Sequence, residues 1–233
     1  MQNYHLKPNM RLQFLLIFLF IGCNSAEGQN DILMVNAITY NAKKYKEYHG
    51  SPYLWKENKK VTIYDINAKE YSGVFGNYNV LENEFEVYRD DSYILLPHSR
   101  YICIKVIDDP DISYSLYSNV HPKLKNKYCI RHAQTANYSV YESRTAKQRV
   151  VEVQTPGVPT KFNKINSRSY YYLIIGNKLI PFKISKKKII KKFGHKKEIN
   201  AFIKDQKIKI KEMEDVVLLF GFLDSKGWLE VKD

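Results

Sequence analysis

The sequence predicts an α+β fold, a mostly antiparallel β meander packed with two or three short C-terminal helices. Three observations carry this. Short runs of β-type residues recur from Val61 onward between clusters of turn residues. A Gly-Asn pair, Gly176 and Asn177, separates two such runs. After Ile184 the apolar period changes from two to nearly four. The chain has 233 residues, 44% of them apolar, with 19 Tyr and 11 Phe, so there is ample surface to bury and disorder is excluded over most of its length.

At the N-terminus, Lys7 and Arg11 precede the apolar run FLLIFLFI (14–21), which is closed by Gly22, Cys23, Asn24 and Ser25. A positive segment, a short apolar core and small or polar residues form the order of an export signal. A membrane span needs about 20 apolar residues, roughly twice what Leu12 to Gly22 supplies. Two cleavage readings are open. Phe20, Ile21, Gly22 and Cys23 resemble a bacterial lipoprotein signal, so that residues 1–22 would be removed and Cys23 lipidated. Alternatively, Ala26, Glu27 and Gly28 give a small-x-small cut that removes residues 1–28 and leaves Gln29 first. The expected organisation is then an N-terminal extension over 29–48, a β-rich region over 49–184 and a helical segment over 185–233. The chain is expected in the periplasm or outer membrane as a lipoprotein, or as a soluble periplasmic or secreted protein.

Strands are expected at VTIYDI, YSGVF, EFEVYR, YILL and RYICIKVI between residues 61 and 107, then over 112–117, 128–132, 138–141 and 149–153, after which Pro156 and Pro159 break the pattern. Phe85 and Val87 alternate with Glu84, Glu86 and Tyr88, as in a strand wet on one side. SYYYLII (169–175) and KLIPFKI (178–184) form a hairpin about Gly176 and Asn177, and Pro181, with no amide donor, assigns the second arm to an edge or a bulge. Ser185 opens a helix with Ile189, Ile190 and Phe193 inward and Gly194 at its end. A second helix presents Ile199, Phe202 and Ile203; a third, from near Glu212, presents Met213, Val216, Val217 and Phe220. These helices are too short to stand alone, so they are expected to dock on the sheet in one compact unit.

With Cys23 consumed by processing, Cys103 and Cys129 remain in a compartment that permits disulfides. Alternation puts Cys103 with Tyr101 and Lys105, on the wetter strand face, and Cys129 with Lys127 and Arg131. The two sulfurs are expected to meet if their strands are neighbours. Cys129 and His132, three apart in a strand, face opposite ways and make no catalytic pair.

The formal charge is +13. Between residues 183 and 211 there are 12 Lys against Glu198 and Asp205, so 12 minus 2 places +10 of it there. Lys186, Lys187, Lys188, Lys191, Lys192, Lys196 and Lys197 form a candidate anion-binding surface, set against the plainer reading that they are solvated helix faces. Arg is nearly absent and no aromatics interleave outside core positions, which disfavours nucleic acid.

No phosphate loop, dinucleotide fingerprint, HExxH, GxSxG or CxxC occurs, and no catalytic, cofactor or metal residues are assigned. His98 and Arg100 can bind an anion or form a turn rim. Asp108, Asp109 and Asp111 around Pro110 read as an acidic turn rather than a calcium loop. Tyr170, Tyr171 and Tyr172 can offer a carbohydrate platform, although Tyr171 points away from its neighbours and core packing competes.

Three passages, GSPYLWKE through GNYNVLENEFEV (50–87), the run 128–141, and KKFGHKKEINAFIKDQKIKIKEMEDVVLLFGFLDS (191–225), resemble a group of exported bacterial envelope proteins known mainly as β-rich sequences without an assigned activity. The resemblance implies an envelope location and a sheet followed by small helices, with no activity or site residues. The sequence therefore favours a non-enzymatic binding or structural module, lipid-anchored if Cys23 is acylated, with an envelope protein or glycan as partner. The alternatives are a hydrolase-type enzyme assembled from His98, Arg100, Asp108 and His132, or a protein that binds anionic ligands through the basic helices.

Overall fold

The computed structural model describes residues 39–40, 48–89, 92–107, 115–154 and 159–230. The export segment with Cys23, and Asp108, Asp109 and Asp111, lie outside the described residues. The twelve strands are β1 (Thr39–Tyr40), β2 (Tyr48–His49), β3 (Lys59–Asp65), β4 (Glu70–Asn79), β5 (Glu84–Arg89), β6 (Ser92–Leu96), β7 (Tyr101–Val106), β8 (Ser115–Ser118), β9 (Tyr128–Gln134), β10 (Ser139–Gln154), β11 (Pro159–Ile175) and β12 (Lys178–Phe182). Three α-helices of the described residues follow them, α1 (Lys186–Phe193), α2 (Lys196–Asp205) and α3 (Met213–Ser225). The fold is α+β, as the periodicity predicts.

The strand order is β1-β6-β5-β4-β3-β7-β8-β9-β10-β11-β12, with β2 added in parallel on β11 and every other pair antiparallel. Two meanders thus meet at the β3–β7 pair. The link over 97–100 must carry the chain from β6 to β7, which are four strand spacings apart, about 19 Å in a flat sheet. Five peptide steps reach at most about 17 Å. The sheet therefore curls. The ring of Tyr128 on β9 lies 5.8 Å from Tyr78 on β4 and 6.5 Å from Phe85 on β5, although three and four strands intervene. Val61, Ile63, Leu96, Ile104 and Leu116 are buried within this curl. Tyr128 Oη donates to the Tyr101 carbonyl at 2.9 Å, and Ser118 Oγ donates to the carbonyls of His98 and Tyr101, so the link is tied from inside.

The helices close the second core. Ile189 and Phe193 of α1, Ile199 and Ile203 of α2, and Met213, Val216, Leu219, Phe220 and Leu223 of α3 pack on Tyr138, Val140, Leu173, Ile180 and Phe182. Of the inward faces expected, Ile189, Phe193, Ile199, Ile203, Met213, Val216 and Phe220 are buried, Ile190, Phe202 and Val217 are half-buried against the same core, and α3 also buries Leu219 and Leu223. Ser185 stands at the N-cap of α1 without a side-chain cap bond, and Gly194 ends it at φ 79°. The Gly176–Asn177 turn joins Ile175 to Lys178, with Gly176 at φ 54°, and β12 is the edge strand that Pro181 requires.

Three expectations fail. Glu86 is buried, because Asn79 Nδ2 donates to its Oε1 at 2.6 Å on a face covered by the segment that Asn77 holds through Trp55 and Glu57. Cys103 is buried while Ile102 is exposed, because the β3–β7 register slips between Tyr64 and Asp65 and leaves Ile102 without an opposite residue. The separate runs 138–141 and 149–153 are one strand, β10, and Pro159 begins β11 instead of ending a sheet. Beyond Ser143 the β10–β11 pair runs on as a two-stranded ribbon, with β2 the one strand among the described residues against it, at Asn163 and Lys164.

Candidate functional site: a basic cleft at the end of β12

β12 stops at Phe182, pairing with Tyr171, while β11 extends twelve residues further toward Pro159. From Phe182 the chain turns through Lys183 and Ile184 into α1. Between the departing helix and the continuing strand lies a cleft of about 970 Å³. Its strand wall is Arg168, Ser169, Tyr170, Tyr171 and Tyr172; its helix wall is Lys188, Lys191 and Lys192, with Pro181, Phe182, Lys183 and Ile184 at the junction. All five charged lining residues, Arg168, Lys183, Lys188, Lys191 and Lys192, are positive. Ile189 and Phe193 anchor α1 from the opposite face, and this forces the lysines outward.

Behind Ser169 sits Glu142 of β10. Its Oε1 accepts from Ser169 Oγ at 2.6 Å and from Arg144 Nε at 2.6 Å, and its Oε2 lies 3.0 Å from His132 Nε2. Burial alone would raise this carboxyl; the bonds from His132, Ser169 and Arg144 more than reverse that and bring it down to about 2. Glu142 is thus an ionised, saturated anchor that fixes Ser169 at the cleft wall. It does not compete for the lysines.

Of the seven lysines the sequence singles out, Lys188, Lys191 and Lys192 line this cleft. Lys186, Lys187 and Lys196, with Lys188 and Lys191 again, line a second hollow of about 880 Å³ between α1 and α2, which also holds Asn200. Asn200 Oδ1 is buried without a hydrogen-bond partner. Lys197 is exposed and lines neither. The tyrosine triplet borders the same cleft, with Tyr171 packed on Phe182 at 5.9 Å on the helix side. The sequence points to both groups separately; what it lacks is the stop of β12 that brings them together.

Of the residues considered for a dispersed hydrolase site, His98, Arg100 and His132 do not converge. The His98 ring lies tilted against Tyr128 at 4.7 Å, and burial lowers its pKa. Arg100 lies over the Tyr101 ring and acts on Asp65. Burial raises the Asp65 carboxyl, but the Lys69 and Asn67 amides, the Tyr71 hydroxyl and Arg100 together bring it below its usual value. His132 belongs to Glu142, four residues along β9 from Tyr128, about 13 Å away. None of the three lines the cleft. Cys103 and Cys129 are free thiols, and the condition for a bond between them, neighbouring strands, is not met. They share a face as alternation requires, but β8 runs between them, with Tyr117 opposite both. Two strand spacings, about 9.6 Å, exceed what a disulfide spans. Burial pushes both thiols up, Cys129 to about 11.

Among the described residues no group of His, Cys, Asp and Glu is placed to hold a metal ion, and no helix is long and apolar enough to cross a membrane. Comparison with protein-family models, curated proteins and solved structures finds no match.

Proposed function

We propose that this is an exported bacterial envelope protein, a non-enzymatic binding module that engages an anionic partner through the cleft between β11 and α1. The observation that carries this reading is the cleft's charge: five cations beside three tyrosines, with no carboxylate in the lining. The helix wall is fixed by the burial of Ile189 and Phe193 and the strand wall by its pairing with β10, so the charges are held together before any partner arrives. The tyrosines supply apolar and hydrogen-bonding contact at low conformational cost. Export follows from the N-terminal signal, and acylation of Cys23 would hold the module at a membrane surface.

The test is retention on immobilised dextran sulfate. Replacing Lys183, Lys188, Lys191 and Lys192 by Gln is expected to lower the salt needed for elution well below that of a control with Lys204, Lys207, Lys209 and Lys211 replaced, which carries the same net charge. Equal elution of the two variants would show that retention follows total charge and not the cleft.

A further inference from the structure

The cleft follows a strand edge, and this constrains what fills it. Residues 168–172 of β11 all line it, yet successive side chains of a strand point to opposite faces. Only a cleft that runs along the edge of β11 meets all five. On the side away from β10, β11 pairs with β2 at Asn163 and Lys164 and with β12 from Tyr171 to Ile175. Gly50, the residue after β2, lies against the carbonyl of the buried Ile165. Among the described residues no strand pairs with 166–170 on that side. Ser167, Arg168, Ser169 and Tyr170 are exposed. The unpaired stretch is five residues long, the length of an ordinary strand.

We infer that the partner is an extended acidic peptide segment that adds to β11 over 166–170, in line with β12, with its carboxylates toward Lys183, Lys188, Lys191 and Lys192. This rests on the cleft being the contact surface. The choice of a peptide over a sulfated glycan or an anionic headgroup comes from the backbone. An open edge presents amides and carbonyls in alternation, and only another peptide chain answers both along its length. The lysine wall supplies selectivity: an acidic strand is attracted, and the basic edge of a second copy of this protein is repelled. β2 with Gly50 at one end and β12 at the other close the gap, which fixes the register and limits the added strand to about five residues.

The probe is a soluble peptide of about eight residues alternating valine and glutamate, titrated into the full protein and followed by amide hydrogen exchange. Slower exchange at alternate amides within 166–170 is expected with this peptide, and no such slowing with dextran sulfate of matched charge. N-methylating one set of alternate peptide amides is expected to weaken binding by at least about tenfold, since two or more backbone hydrogen bonds are lost. An N-methylated peptide that binds like its parent, or binding without slowed exchange over 166–170, would overturn strand addition. Slowing over 166–170 that grows with protein concentration in the absence of peptide would overturn it in favour of a second copy. If the four-lysine variant keeps its retention on dextran sulfate, the cleft reading itself fails. If it loses retention while the peptide gives no slowing, strand addition alone fails.

Discussion

Ser169 at the wall of the basic cleft donates a 2.6 Å hydrogen bond to Glu142, a carboxylate buried on the neighbouring strand. The pair makes the site's acidity a stability term. The Glu142 carboxyl is down at about 2 in the folded chain against about 4.5 unfolded, so its contribution is complete above pH 4.5 and is lost as pH falls toward 2. It amounts to on the order of 2–3 kcal/mol. Glu142→Gln is expected to lower stability near neutral pH by about 2 kcal/mol, because Arg144 loses its counter-charge. It should also flatten the loss between those pH values. Urea unfolding across that range checks both.

Gly76 on β4 lies directly under Phe85. A Cβ there would stand 2.5 Å from Phe85 Cε1 and 2.5 Å from the Glu86 carbonyl oxygen. Gly76→Ala must displace backbone as well as a ring, and an expected cost of about 2–3 kcal/mol should appear in thermal unfolding.

Tyr128 joins the two meanders by both ring and hydroxyl. Tyr128→Phe removes only the bond to the Tyr101 carbonyl, which Ser118 also serves, and should cost about 1 kcal/mol. Tyr128→Ala also removes the contacts with Tyr78, Phe85 and His98 and should cost about 3–5 kcal/mol. Equal costs in urea unfolding would contradict the curl of β9 onto β4 and β5.

Much of this architecture is legible in the sequence, and the exceptions share a cause. The Gly176–Asn177 hairpin, the edge placement of Pro181 and the inward faces of α1 and α2 depend on residues close in sequence, so pattern reveals them. The outer halves of β10 and β11 are hidden because Thr145, Lys147, Arg149, Asn166 and Arg168 leave the ribbon polar on one face, with little more than Ile165 buried on the other. No period-two contrast survives there. The cysteine pairing fails on strand order, which alternation does not encode: SLYS, four residues long, lies between the two strands. Glu86 is misplaced because its cover comes from residues about thirty positions earlier. The cleft is half legible. Its lysines and tyrosines stand out by composition, while the open edge between them exists only because β12 ends before β11 does.

The cysteines give a chemical check on the strand order. Both thiols are buried and shifted upward, so iodoacetamide at mildly alkaline pH should leave Cys103 and Cys129 unmodified in the folded protein and label both in urea. A peptide map from protein handled without reductant should show the two as separate thiols. A linked pair would contradict the placement of β8 between them.

The central claim is that anions enter the cleft between β11 and α1 rather than settling on the lysines at large. Its most direct test is a backbone amide NMR titration with sucrose octasulfate, a small compact polyanion. The predicted result is a set of early, saturable shifts confined to 168–172 and to 183–192. Shifts centred instead on the exposed lysines of 204–211, or spread over all basic surfaces in proportion to their charge, would contradict it.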